Sequence, residues 1–299
     1  MGGSLPALIP KNIINRYSLM NHYNLPGVQL DTDVELASLH GFECEQPTGR
    51  RIMTLRAADE MPSADDALKA IPHREINVSV FPNGWQFALP HVPELPVYLN
   101  NTRDEMLIPK KYAPWAHLVL PPLLRTAIEC TSALEGVVSL HSACVEMDGE
   151  AICFTAPSGT GKSTRAMQWI ETLNAKFVSG DRPSVRLDGG KATVCGVPWD
   201  GKEGIFRNVQ LPLKMICKIV RSDTVHARRL SKAEARQLLM QQCFVPMWDN
   251  DAAVAVMVTI RKLIDAVPII ELHCGPDADA ARQAYDLIYH HPEKILEEK

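Results

Sequence analysis

APSGTGKST, residues Ala156 to Thr164, is the stretch on which the reading of this chain turns. A small residue, four free positions and then Gly-Lys-Ser/Thr is the Walker A spacing of a phosphate-binding loop. A polyphosphate is held by several backbone N–H groups at once, so side chains must not obstruct its approach. Gly159 and Gly161 remove that obstruction and permit positive φ. Ser158, Gly159, Thr160, Gly161, Lys162, Ser163 and Thr164 are therefore predicted to cradle a nucleotide. Lys162 would sit on the β- and γ-phosphates, and the Ser163 hydroxyl on Mg²⁺. Such a loop needs a strand before it and a helix after it, because a helix N-terminus favours anions. Ala151 to Thr155 (AICFT) reads as a buried strand, and Met167, Trp169, Ile170 and Leu173 recur at helical spacing. The alternative is a glycine-rich turn with no ligand.

Working outward, Leu140 to Glu146 and Ala151 to Thr155 flank Met147-Asp148-Gly149-Glu150. Asp-Gly between apolar runs closes a tight antiparallel hairpin, and this one feeds straight into the loop. Downstream, KFVSGD, Lys176 to Asp181, is a strand ending in Gly180-Asp181. A phosphoryl-transfer site needs an acidic group from a strand end beside the loop, and Asp181 fits, for catalysis and for the metal. Its other reading is a turn aspartate before Arg182-Pro183.

This order of elements, with His141 on the first hairpin strand, resembles the C-terminal kinase domain of HPr kinase/phosphorylase and its relatives. That group shares a core with phosphoenolpyruvate carboxykinase. The resemblance covers roughly residues 135 to 290. It implies an α/β fold of the HPr kinase/PEP carboxykinase type with a mixed sheet, and ATP and Mg²⁺ as cofactors. It also puts a histidine beside the active site at the position of His141, which either assists deprotonation of the acceptor or holds phosphate. A satisfied core histidine is the rival reading. The family usually carries two adjacent aspartates where this chain has Ser179-Gly180-Asp181-Arg182. One carboxylate has become glycine, and Asp200 and Glu203 are the nearby candidates to replace it. Gly201 to Val209 (GKEGIFRNV) is similar to the family's glycine-rich signature, with Trp199-Asp200 where an acidic-plus-arginine pair precedes it. Arg207 is the expected anion-binding arginine there, with a loop ion pair to Glu203 as the alternative; Lys202 is a weaker candidate, and Trp199 could stack on a base or lie buried.

The front third reads differently. Val28, Leu30, Thr32, Val34 and Leu36 alternate with polar residues, and Ile52 to Leu55 is a second short strand. Ile76 to Phe81 and Trp85 to Leu89 are joined by Pro82-Asn83-Gly84, a strong hairpin signal. HVPELP, from His91, is expected to end that unit, and Ser63 to Ala70 to be a short helix or surface loop. Leu118 to Leu134 carries a helical apolar stripe, with Pro121 and Pro122 suiting a helix start and Gly136 a stop. A small β-rich module over residues 1–115, structural or substrate-docking, is thus expected before a kinase domain over residues 116–299. Towards the end, Leu213 to Arg221 and Pro268 to His273 read as strands. Ser231 with Glu234 makes a capping box for a helix from Lys232 to Cys243, Asp251 to Leu263 is a helix, and Asp277 caps a last one.

Composition narrows the class. The chain has 299 residues and a net charge of −4, so it offers no basic footprint for nucleic acid. No apolar run reaches the ~18 residues that span a bilayer, and the first residues do not read as a secretory signal. Eight cysteines never come as C-x-x-C pairs, which suits free thiols in a reducing cytosol. A cytoplasmic enzyme is the expectation. It would transfer the γ-phosphate of ATP to a hydroxyl of a peptide, protein or small molecule, as HPr kinase and its shorter peptide-modifying relatives do. The alternatives are a nucleotide-gated module with decayed catalysis, and a carboxykinase-like lyase. HPr kinases assemble, so a homo-oligomer is also open.

Overall fold

Alternation of apolar and polar residues builds the first sheet. In the computed structural model, which describes residues 20–45, 51–73, 76–157, 159–199 and 205–295, eight strands form it. They are β1 (Asn21–Leu25), β2 (Val28–Thr32), β3 (Arg51–Ala58), β4 (Lys69–His73), β5 (Ile76–Phe81), β6 (Gly84–Leu89), β7 (Val92–Asn100) and β8 (Glu105–Pro109). Their order is β1-β2-β3-β8-β7-β6-β5-β4, with β3 parallel to both its neighbours and the other pairs antiparallel. Inward residues such as Leu30, Met53, Leu55, Phe87, Leu99 and Met106 are fully buried. Helix α1 (Ala116–Ala133) lays Leu123, Leu124, Ala127 and Ile128 into the same cluster.

Three local expectations change. HVPELP does not end the unit but opens β7. The reason is where its prolines fall: pairing with β8 begins only at Tyr98, and the register with β6 slips between Phe87 and Leu89. Pro93 and Pro96 therefore sit where no ladder bond needs their missing N–H. Pro121 and Pro122 lie within α1 rather than at its start. Of Ser63 to Ala70, Ala64–Asp66 is a single 3₁₀ turn, and β4 follows.

The chain then builds a second, mixed sheet from β9 (Val137–Ser139), β10 (Ser142–Met147), β11 (Glu150–Thr155), β12 (Lys176–Ser179), β13 (Ser184–Asp188), β14 (Lys191–Cys195), β15 (Gln210–Arg221), β16 (His226–Arg229) and β17 (Ile269–Cys274). Four helices accompany it: α2 (Lys162–Leu173), α3 (Lys232–Gln242), α4 (Asn250–Ala266) and α5 (Ala278–Tyr289). The long strand β15 joins two halves. Gln210 to Pro212 pair with β14, which leads on to β13 and β9, while Ile216 to Arg221 pair with β17. On the site side the order is β12-β10-β11-β15-β17-β16. β11, β15 and β17 run parallel, and β10 opposes both β11 and β12.

Period-two alternation splits this sheet between two cores. Cys144, Cys153, Ile216 and Ile269 face α3 and α4, whereas Val145, Ile152, Phe154, Cys217 and Ile270 face α2 and α5 around the buried Trp169. The helix starts are as local chemistry dictates. Ser231 and Glu234 form a complete capping box on α3, Asp249 accepts from the Ala252 N–H on α4, and Asp277 accepts from Ala280 on α5. The β10–β11 hairpin turns at Asp148 and Gly149, both at positive φ (52° and 80°), as a two-residue hairpin loop requires. All eight cysteines are free, seven of them buried. No helix among the described residues is long and apolar enough to cross a membrane.

Candidate functional site

The strand directions bring one set of residues to one edge of the second sheet. Strands β11, β12, β15 and β17 all end there, and β10 begins there, so neighbouring chain ends step along the edge by about 4.8 Å each. In spatial order the edge carries Asp181 after β12, His141 before β10, the glycine loop after β11, Arg221 at the end of β15 and Cys274 at the end of β17.

The loop leaves the buried end of β11 and becomes α2 at Lys162. Gly159 (φ 78°) and Gly161 (φ 109°) both adopt the left-handed region, which a Cβ would strain. Its carbonyls are taken up by cations. Lys162 Nζ donates to the carbonyls of Ala156 (3.0 Å) and Pro157 (3.4 Å). Arg221 donates to those of Gly159 (3.1 Å) and Thr160 (3.3 Å). Because a trans peptide points its C=O and N–H to opposite sides, the Thr160 carbonyl facing Arg221 turns the Gly161 N–H away from it. Lys162 is buried, and desolvation holds its ammonium below the usual lysine range, an effect that the Asp181 charge opposes. Ser163 is half-buried and Thr164 exposed on the first turn of α2. Ser158 lies outside the described residues.

Asp181 lies two residues past the end of β12 and is fixed by local bonds. The Ser179 hydroxyl donates to the Asp181 carbonyl at 2.9 Å, and the next residue, Arg182, takes a positive φ of 53°. The Asp181 carboxylate stands 3.9 Å from His141 Nε2 and 3.9 Å from Arg182 Nε, contacts too long for hydrogen bonds but close enough for charge to be felt. His141 is tied to the loop strand, since Thr155 Oγ1 donates to its carbonyl at 2.9 Å, and its own N–H donates to the Gln242 carbonyl. Lys162, Asp181 and His141 thus share one edge.

Arg207 goes elsewhere. The chain from Phe206 runs antiparallel to β12, bridging Ser179 and donating from the Arg207 N–H to the Val178 carbonyl. Each further residue therefore moves away from Asp181. The guanidinium donates to Glu146 Oε2 at 2.8 Å and to the Phe177 carbonyl at 3.3 Å, four residues up the strand from Asp181. Arg207, with burial opposing it, holds the Glu146 carboxyl below its usual range. The expectation of an anion-binding arginine at the reacting centre is corrected to a structural ion pair, with Glu146 as partner. Trp199 is buried in the core of the first sheet, not open to a base. Asp200 and Gly201 to Gly204, which include Lys202 and Glu203, lie outside the described residues.

On the far side of the loop from Asp181 lies a cleft of about 560 Å³. Its walls are one face of α2 (Thr164, Arg165, Gln168), the end of β15 with Arg221 and Asp223, and Gly275 after β17. Of these residues, sequence reading named Thr164 and missed the others. Arg165 and Gln168 follow Lys162 by three and six positions, and that spacing was the available signal. Arg221 gave none, because only the parallel β11–β15 pairing carries it to the loop.

No family model matches the chain, and no curated protein matches it. Among solved structures, the HPr(Ser) kinase/phosphatase from Coxiella burnetii aligns with a TM-score of 0.31 and 12% identity. The alignment covers 52% of this chain and 91% of that one. Likeness at that level leaves the site to be read from its own geometry.

Proposed function

We propose that the chain is an ATP-dependent kinase that transfers the γ-phosphate to a hydroxyl of a peptide, a protein or a small molecule. The observation that carries this reading is the convergence of a desolvated Lys162, at the mouth of a left-handed glycine loop, with Asp181 and His141 on one sheet edge. Lys162 is held by two loop carbonyls, which it would exchange for β- and γ-phosphate oxygens. Asp181 orients or deprotonates the acceptor hydroxyl, and His141 beside it holds the released proton or steadies the phosphoryl group.

The donor set suits Mg²⁺. The Ser163 hydroxyl and Asp181 carboxylate are hard oxygen ligands, and no cluster of three or more His, Cys, Asp or Glu able to hold a metal occurs among the described residues. Mg²⁺ is commonly bound by one or two protein oxygens plus substrate phosphates and water, rather than by an all-protein cage. When bound, it would neutralise charge on the transferred phosphate.

The experiment is incubation with γ-labelled ATP and three acceptor pools: serine-containing peptides, small polyols or free serine, and oxaloacetate. Label on a hydroxyl supports the kinase. Phosphoenolpyruvate formed from oxaloacetate overturns it in favour of a lyase. ATP binding with no labelled acceptor favours an inactive nucleotide-gated module, to which the single carboxylate at Gly180-Asp181 would point.

A further inference from the structure

A nucleotide lying along the sheet edge has to place its two ends on opposite sides of the glycine loop. With the γ-phosphate at Lys162, Asp181 and His141, on the β10 and β12 side, the nucleoside must leave across β15 towards β17. The cleft of about 560 Å³ is on that side, and its size falls within the roughly 300–1,000 Å³ of small-molecule sites.

Its lining is chemically unfinished. Arg165 is buried, and its Nη2 donates to the Gly275 carbonyl, but Nε and Nη1 have no partner among the described residues. No carboxylate among the described residues pairs with it. Gln168, one helical turn on and on the same face, has an Oε1 that is also buried without a partner among the described residues. Buried donors and acceptors left unmatched are costly, and here they stand side by side at a cleft opening from a phosphate loop. Unmatched donors beside an unmatched acceptor are the complement of a base that sets ring-nitrogen acceptors next to an exocyclic amino group. Adenine does this, with N6–H₂ between N1 and N7. Guanine has a carbonyl oxygen in place of the amino group, which Gln168 would meet only by turning its amide over to present Nε2–H.

We propose that this cleft is the adenosine half of the site, and that Arg165 and Gln168 read the base. Arg165 donates to a ring nitrogen, Gln168 accepts from the amino group, and Gly275 keeps the guanidinium in place. The inference rests on the loop binding phosphate, and the test separates the two.

The test is calorimetric binding of ATP, GTP and inorganic tripolyphosphate, each with Mg²⁺, to the full chain and to the variants Arg165→Met and Gln168→Leu. Wild type should bind ATP about tenfold or more tighter than GTP, the discrimination a paired base edge supplies. Each variant should weaken ATP by about tenfold or more, as a lost hydrogen bond at a buried polar pair does, while tripolyphosphate stays within about twofold. Gln168→Leu removes no charge, so it keeps the test open if Arg165→Met melts early. Equal weakening of ATP and tripolyphosphate would put Arg165 on the phosphates and overturn the assignment. So would unchanged ATP affinity in both variants, or equal affinity of wild type for ATP and GTP. If wild type binds neither ATP nor tripolyphosphate, the phosphate loop itself fails and the base site with it.

Discussion

The two sheets are joined by one buried ion pair whose removal should be expensive. Arg103, in the turn between β7 and β8, sends Nε and Nη2 to the two carboxylate oxygens of Asp249, at 2.9 and 2.6 Å. Both side chains are almost wholly buried, at 8% and 1% exposure. The guanidinium also lies 4.9 Å above the Trp85 ring, whose Nε1 donates to the Trp248 carbonyl. Asp249 has a second duty, capping α4 through the Ala252 N–H at 3.1 Å. Arg103→Met leaves a buried carboxylate with only its cap bond, and breaking such a pair from one side costs about 3–5 kcal/mol. Asp249→Ala leaves the guanidinium with the Asn101 carbonyl at 3.1 Å and the exposed Asp251 carboxylate at 3.4 Å, and it also removes the cap, which adds about 1 kcal/mol. Against a total stability of about 5–15 kcal/mol, either loss is severe. Arg103→Met combined with Asp249→Asn removes both charges, keeps a capping oxygen and keeps the apolar stem. That double variant should recover to within about 1–2 kcal/mol of wild type, since replacing a buried pair whole is often neutral. Urea unfolding at pH 7, followed by tryptophan fluorescence, gives the full double-mutant cycle. Single variants within about 1 kcal/mol of wild type, or losses that simply add in the double, would refute the reasoning.

Four further outcomes are expected. Lys162→Ala should abolish ATP turnover while changing stability by no more than about 1 kcal/mol, because the desolvated ammonium holds only two loop carbonyls; phosphate release and urea midpoints check both halves. Asp181→Asn keeps the turn that Ser179 fixes and should lower kcat by about 10²–10⁴; a rate within about threefold of wild type would move the role to His141 or Asp200. For Glu271, burial raises the pKa, but Lys218, His273 and Arg228 outweigh it and hold the carboxyl at about 2. Its contribution is therefore full above the ordinary value of 4.5 and is lost as pH falls through about 2; Glu271→Gln should remove up to about 3 kcal/mol of stability near neutral pH and flatten the profile over that window. Gly196→Ala would drive a Cβ into the Arg207 carbonyl oxygen, costing about 1–3 kcal/mol in urea unfolding and raising the acceptor KM more than the ATP KM.

What could be read before the structure was local. The hairpin at Asp148-Gly149, the loop and α2 follow one another without a gap, and turn chemistry with apolar spacing suffices to see them. The capping box of Ser231 and Glu234 and the Asp277 cap are likewise written within four residues. What could not be read depends on partners far along the chain. β15 pairs with β11 across some sixty residues, and only that parallel register brings Arg221 to the loop carbonyls. Arg207 sits in a stretch rich in glycine and charge, so its residue type invited an anion. Its fate was set by the antiparallel run beside β12, where Glu146 waits. Pro93 and Pro96 argued against a strand, and the interrupted ladder that admits them is a property of β6 and β8.

The same long-range logic explains why the first sheet bears on the site although it adds no residue to the glycine loop. The segment after β14 leaves the second sheet with Val197 and Trp199 buried in the first sheet's core. When the described chain resumes, Phe206 packs on that core and lies 6.0 Å from the Phe42 ring, and Asn208 donates to the Gly41 carbonyl at 2.7 Å. Gly196 and Val209 then close the stems on each other by a backbone bond of 2.9 Å, at a point where no Cβ fits. Both stems of the segment are thus anchored to the first sheet, and the returning stem bridges Ser179 two residues before Asp181. A shift of the first sheet against the second would move the stems, and through the Ser179 bridge it would reach the carboxylate. The Arg103–Asp249 pair resists that shift. On the kinase reading, a variant that loosens the pair without unfolding the chain should disturb transfer to the acceptor more than binding of ATP, because the glycine loop is held by β11, Lys162 and Arg221, all within the second sheet and its helices.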